Sequence, residues 1–164
     1  MPIGDASLKA SILLIIWVFV FLTPPVISGN HSMVTECDKL VSHVEDPDRV
    51  ATGVKEVMLV AGTAACRDAV KNDPENPRLR YQLARVLFYS EITEESISHL
   101  EFSAKAGSEQ AQFVLGYIAD TGLQGVTRSP CIVEDLWFRS ATQGRFAALV
   151  SYPRHVALGK FKDC

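Results

Sequence analysis

The sequence predicts an all-α fold, a short stack of antiparallel helix pairs, on three observations. Beyond residue 30 apolar residues recur at spacings of three and four, the period of one face of an α-helix. Short breaks built on Gly or Pro part these runs, so consecutive helices have to fold back on one another. The chain also matches itself: SAKAGSEQA at 103–111 aligns with SATQGRFAA at 140–148 at an offset of 37 residues. Ser103 meets Ser140, Ala104 meets Ala141, Gly107 meets Gly144 and Ala111 meets Ala148, while Leu100 falls opposite Trp137. The first alanine permits close packing, the glycine turns the chain, and the second alanine receives the neighbouring helix.

The amino-terminal segment stands apart. SILLIIWVFVFL at 11–22 follows Lys9 and precedes TPPVISGN, a basic lead, an apolar run and a Pro-rich exit with small residues. That is the anatomy of a secretory signal peptide. A bilayer span needs roughly 20 apolar residues, and counting on to Ile27 brings the run close to that. Residues 1–29 are therefore read as a signal peptide, with an uncleaved membrane anchor through residues 8–27 as the alternative and a buried helix as the remaining one. Residues 30–164 form the helical-repeat domain. With 48% hydrophobic and 21% charged residues the chain has the composition of a folded protein, and a net charge of −3 lacks the basic footprint of a nucleic-acid binder.

Export makes the cysteines structural. Cys37, Cys66, Cys131 and Cys164 all lie beyond the signal segment, and four cysteines allow three pairings. Their spacing fits neither a zinc cluster nor a redox motif. Cys37 with Cys66 is the expected staple, tying the first helix to the second. Cys131 with Cys164 is less secure, because the last cysteine is the terminal residue here.

The elements follow in order. TECD at 35–38 opens a helix, with Thr35 as cap and Asp38 answering it; Leu40, Val41 and Val44 form its apolar face, and EDPD at 45–48 stops it. A second helix is expected over 63–72, where Ala61, Ala64, Ala65, Ala69 and Val70 recur at helical spacing. NPRLRYQLARVLFYSE at 76–91 is the strongest helix: Pro77 suits its first turn, Tyr81, Ala84, Leu87 and Phe88 share a stripe, and Arg78, Gln82 and Arg85 face water. Thr93 caps the next, with Ile97, Leu100 and Ala104 buried and Gly107 ending it. The following helix buries Ala111, Val114, Leu115 and Ile118, and Gly116 sits where a side chain would crowd a partner. Gly122 and Gly125 carry the chain to the next pair, and Pro153 interrupts the last helix, leaving Val156, Ala157, Leu158 and Phe161 for a short cap.

The run Ala104, Gly107, Ala111, Leu115, Gly116, Gly122, Gly125, Val126, then Leu136, Trp137, Ala141, Gly144, Ala148, resembles the unit of the Sel1-like repeat family, relatives of the tetratricopeptide repeats. The family pattern is an alanine-rich helix ending in Gly, Ala-x-x-x-Leu-Gly on the second helix and Gly-x-Gly-Val in the loop. Here the loop has one extra residue, Leu123 and Gln124 standing between the glycines. Residues 66–88 look more like a tetratricopeptide unit with Pro74 at its turn, and CDKLVSHVEDPDRVATGV resembles the cysteine-bearing lead of exported bacterial repeat proteins. The resemblance covers about 36–149, with the clearest repeat at 94–129, a partial one at 131–152 and an atypical cap at 153–164. It implies a right-handed superhelix and an adaptor that binds or assembles another protein in the bacterial envelope or outside the cell.

Glycine-rich stretches invite a nucleotide reading, but Gly107 follows a helix where a dinucleotide fingerprint needs a strand, and no Gly-Lys-Ser or Gly-Lys-Thr is present. The histidines His31, His43, His99 and His155 are scattered, and Asp46, Asp48, Asp73 and Glu75 flank prolines, where they cap or solvate helix ends. No catalytic, cofactor or metal residues are assigned. A contact surface is expected on the first helices, with Glu101, Lys105, Arg139 and Thr142 as solvated charges and polar groups upon it. The alternatives are an envelope hydrolase or cell-wall ligand-binding protein using a cleft between repeats, with His99 or His155 as its test, and a membrane-held chaperone or regulator if residues 11–27 stay uncleaved.

Overall fold

A computed structural model describes residues 33–164. The expected signal peptide or anchor lies outside them, and no described helix is long and apolar enough to cross a membrane. The described chain is all-helical: α1 Glu36–Val41, α2 Leu59–Asn72, α3 Pro77–Tyr89, α4 Thr93–Lys105, α5 Glu109–Thr121, α6 Pro130–Thr142 and α7 Phe146–Ala157, with a 3₁₀ turn at Leu123–Gly125. Each helix packs on the next, and α1 packs on both α2 and α3.

The unit α4–α5 repeats in α6–α7 down to single hydrogen bonds. Gly107 and Gly144 take φ of 102° and 100°, the left-handed side that a Cβ disfavours. After each glycine the same bond closes the turn, from Ser108 N to Ser103 O at 3.0 Å and from Arg145 N to Ser140 O at 3.2 Å. Ser103 Oγ donates to Pro77 O at 2.8 Å and Ser140 Oγ to Glu109 O at 2.7 Å, so each first helix is pinned to the first residue of the second helix before it. Leu100 and Trp137 occupy equivalent buried places. Gly116 leaves room for Trp137: a Cβ there would stand 2.6 Å from its Cδ1 and Nε1. Gly122 caps α5 in the left-handed region, and Gly125 also has positive φ.

At the amino-terminal end Thr35 and Asp38 form the expected capping box. Cys37 is bonded to Cys66 and Cys131 to Cys164. The two disulfides belong to an oxidising environment. The carboxy-terminal tail returns with the second bond and packs Phe161, 7% exposed, with Trp137, Val133 and Ala119.

Several expectations are corrected. α1 stops at Val41, well before Pro47, because the chain turns extended at Ser42 and pairs His43 with Val54 in a parallel bridge. α2 begins at Leu59, and its buried side is Gly62, Cys66 and Ala69, with Ala61 and Ala64 exposed. The disulfide and the contact of Val41 with Gly62 set that rotation.

Arg78, Gln82 and Arg85, expected to face water, are buried. The cause is α1, which lies across that side of α3 and supplies acceptors. Arg78 Nε pairs with buried Asp38 at 3.2 Å, and Gln82 Nε2 donates to Asp38 Oδ1 at 2.9 Å and to Ser42 Oγ at 3.0 Å. Arg85 donates to the carbonyls of Val41, Val54 and Lys55 at 2.5, 3.1 and 3.0 Å. Thr93 is the first residue of α4, its cap being Ile92, and its hydroxyl reaches Gln124 across the next loop. Val114 and Leu115 are partly buried, and Asp46 is buried where a solvated loop carboxylate was expected. α7 continues through Pro153 to Ala157. The proline is exposed, so its ring meets no packed neighbour and the carbonyl it leaves free, that of Leu149, is on an exposed residue.

Candidate functional site

The helices α3 and α5 run side by side in the same direction. Gln110 Nε2 joins Tyr81 Oη at 3.0 Å near their amino-terminal ends, and Gln124 Nε2, just past α5, joins Phe88 O in the last turn of α3 at 2.8 Å. Between them lies a pocket of about 330 Å³. Tyr81, Ala84, Phe88 and Tyr89 form one wall, Phe113, Val114, Tyr117 and Ile118 the other, with Leu100 and Leu123 completing an apolar lining.

One end is polar. Arg145, 8% exposed, donates from Nε to Gln110 Oε1 at 2.6 Å and from Nη2 to Glu45 Oε2 at 2.9 Å, and its guanidinium stands 5.6 Å from the Phe113 ring centre. The bond from Arg145 holds the Glu45 carboxyl below its usual range. His43 lies at the same end with its pKa lowered, first by burial and then by the Arg85 charge. Burial pushes the Tyr81 hydroxyl well up. Beside this end sits Asp46, 1% exposed, with Oδ1 accepting from Asp48 N at 3.0 Å and Oδ2 without a partner. Burial raises its carboxyl to about 6.

The pocket is thus a mainly apolar trough with fixed cations and donors at one end. Such a lining takes up apolar surface and orients it by a few polar contacts. No serine, threonine or cysteine lines it.

The trough runs over the second helices, not over the first helices on which a contact surface is expected. The cause is the covering of first-helix sides by the preceding second helices and the approach of the α1–α2 loop to α3. Glu101 edges a shallow depression with Thr93 and Gln124, and Lys105 is an exposed group. Arg139 reaches Ala104 O at 3.2 Å and Asp135, and Thr142 bonds back to Arg139 O.

The two histidines set as the test of a hydrolase are apart from the trough. His99 meets Arg80 at 3.3 Å and Glu95 at 3.8 Å, and burial, then the Arg80 charge, lowers its pKa. His155 stands edge-on to Trp137 at 4.8 Å and faces Asp120 at 3.3 Å. Among the described residues no group of three His, Cys, Asp or Glu side chains is placed to hold a metal ion.

The aromatic stripe Tyr81, Phe88, Phe113 and Tyr117 could have been found from the sequence by laying α3 and α5 side by side in register. The polar end could not, since Glu45 and Arg145 are 100 residues apart. Comparison with family models, with curated proteins and with solved structures returns no match to this chain.

Proposed function

We propose that this is an exported Sel1-like repeat protein that binds another protein in the bacterial envelope or outside the cell. The observation that carries the reading is the trough between α3 and α5, an apolar channel with Arg85, Arg145 and His43 at one end. Two parallel second helices separated by a groove suit an apolar peptide segment, with the cations and Gln110 positioning its polar groups. The equivalent serine pins and glycine turns of α4–α5 and α6–α7 support the repeat assignment. The two disulfides support export.

The test is a photo-crosslinking residue in place of Tyr117, which is 47% exposed in the trough. In the native host the expected product is a covalent adduct with a discrete polypeptide, mapped by mass to one segment. The same reagent at Lys71, exposed on α2, should give none. Adducts only with glycan, or hydrolytic turnover that disappears on His43→Ala substitution, would replace binding with the cell-wall or hydrolase reading.

A further inference from the structure

The register of the repeat shows what is missing at one end of the stack. α6 covers α5 by a defined set of contacts: Ser140 to Glu109 O, Gln143 Nε2 to Gln112 Oε1 at 2.7 Å, Trp137 stacked on Phe113 at 5.8 Å, and Trp137 against Gly116. A shift of 37 residues carries Glu109, Gln112, Phe113 and Gly116 onto Phe146, Leu149, Val150 and Pro153 of α7. These four share one side of the helix by their spacing of three and four. Phe146, Leu149 and Val150 are 75%, 49% and 52% exposed, and Pro153 is exposed too. Where α5 carries polar residues under a helix, α7 carries a phenylalanine and a leucine under none of the described residues. A solvated face would favour the reverse.

Charge selects the occupant. From Gln143 to Lys162 the chain holds Arg145, Arg154, Lys160 and Lys162 and no Asp or Glu. Arg145 is engaged with Glu45; Arg154, four residues on from Val150, is the exposed cation beside the bare face, while Lys160 lies on the Phe161 side of the tail near Asp120. A second copy pairing through α7 would set basic edge against basic edge.

We propose that the outer side of α7 docks an amphipathic helix of another protein, its apolar stripe edged with carboxylates, in the place of the first helix of a further pair. The surface is separate from the trough between α3 and α5.

The test uses the full-length oxidised chain and three fluorescent helical peptides that share a leucine stripe at spacings of three and four, edged with Glu, Gln or Lys. Fluorescence anisotropy should show the Glu peptide binding about tenfold more tightly than the Lys peptide, with the advantage shrinking at high salt. Val150→Glu and the milder Leu149→Ala should weaken the Glu peptide while circular dichroism stays unchanged. Tyr117→Asp, in the trough, should leave it alone. Equal binding of the Glu and Lys peptides, indifference to both α7 variants, or loss with Tyr117→Asp would overturn the proposal. So would sedimentation as a dimer that Val150→Glu dissociates, since the occupant would then be a second copy.

Discussion

In α4 and α6 the residues Ser96, Leu100, Ser103 and Val133, Trp137, Ser140 are buried by the second helix that precedes each. Gly62, Cys66 and Ala69 of α2 have the same spacing of four and three, and they too are buried. Their cover is α1, only Glu36–Val41 long, which stands in for a preceding second helix and is bonded there through Cys37. At the opposite end α7 presents the matching outward side bare among the described residues, and the tail beyond it packs Phe161 against the Trp137 side instead. One end of the stack is closed by a dedicated element and the other is left open, although a disulfide serves each. A cysteine pair therefore says which segments are tied and not which faces are covered.

The largest expected effect tests the closed end. Asp38→Ala leaves Arg78 buried without its carboxylate and removes an acceptor of Gln82, so urea unfolding should show a loss of about 3–5 kcal/mol. A loss of under about 1 kcal/mol would mean that α1 is not a cap.

Next come the two staples. Both close loops of similar length, 29 and 33 residues, so chain entropy alone gives each about 3.7 kcal/mol. Cys37 and Cys66 are both 0% exposed, whereas Cys131 and Cys164 are exposed and the tail between α7 and Cys164 buries a single side chain, Phe161. Replacing the first pair by alanine should lower Tm by about 10 °C or more, and replacing the second by a few degrees only. Equal shifts would erase the distinction between the ends.

A smaller effect, of opposite sign, comes from Asp46 in the loop of the closed end. Its folded pKa of about 6 lies above the ordinary 3.8, so the folded chain holds a proton that the unfolded chain has released. The stability this contributes is full below pH 3.8 and is lost as pH rises through about 6. Asp46→Asn cannot ionise and keeps an oxygen for Asp48 N, so it should gain about 3 kcal/mol over the parent at pH 7.5 and almost nothing at pH 4. Equal differences at both pH values would show that the carboxyl is not held neutral by burial.

The smallest effect belongs to the open end. Val150→Lys, on the bare side of α7, should change stability by no more than about 0.5 kcal/mol in thermal melts. A large loss would show that the face is already covered within the chain.

Much of the stack was legible because it is local. The serine, alanine and glycine positions of 103–111 and 140–148 each act on a neighbouring residue or helix, and that information lies within one repeat. Arg78, Gln82 and Arg85 were misread because a helical period shows which residues share a face, while the cover on that face comes from α1, about forty residues upstream. Pro153 was misread for a related reason: the carbonyl it leaves without a donor belongs to exposed Leu149, where water can take the bond. The trough was hidden because its polar end joins Glu45 to Arg145, parts of the chain that share no motif.

That Glu45–Arg145 contact bears on how the molecule comes to be made. Most other bonds join neighbouring layers, so contact order is low and folding can spread from one helix pair to the next at high speed. A bond across 100 residues has a long loop to close, so its formation is favoured only once the layers between have stacked.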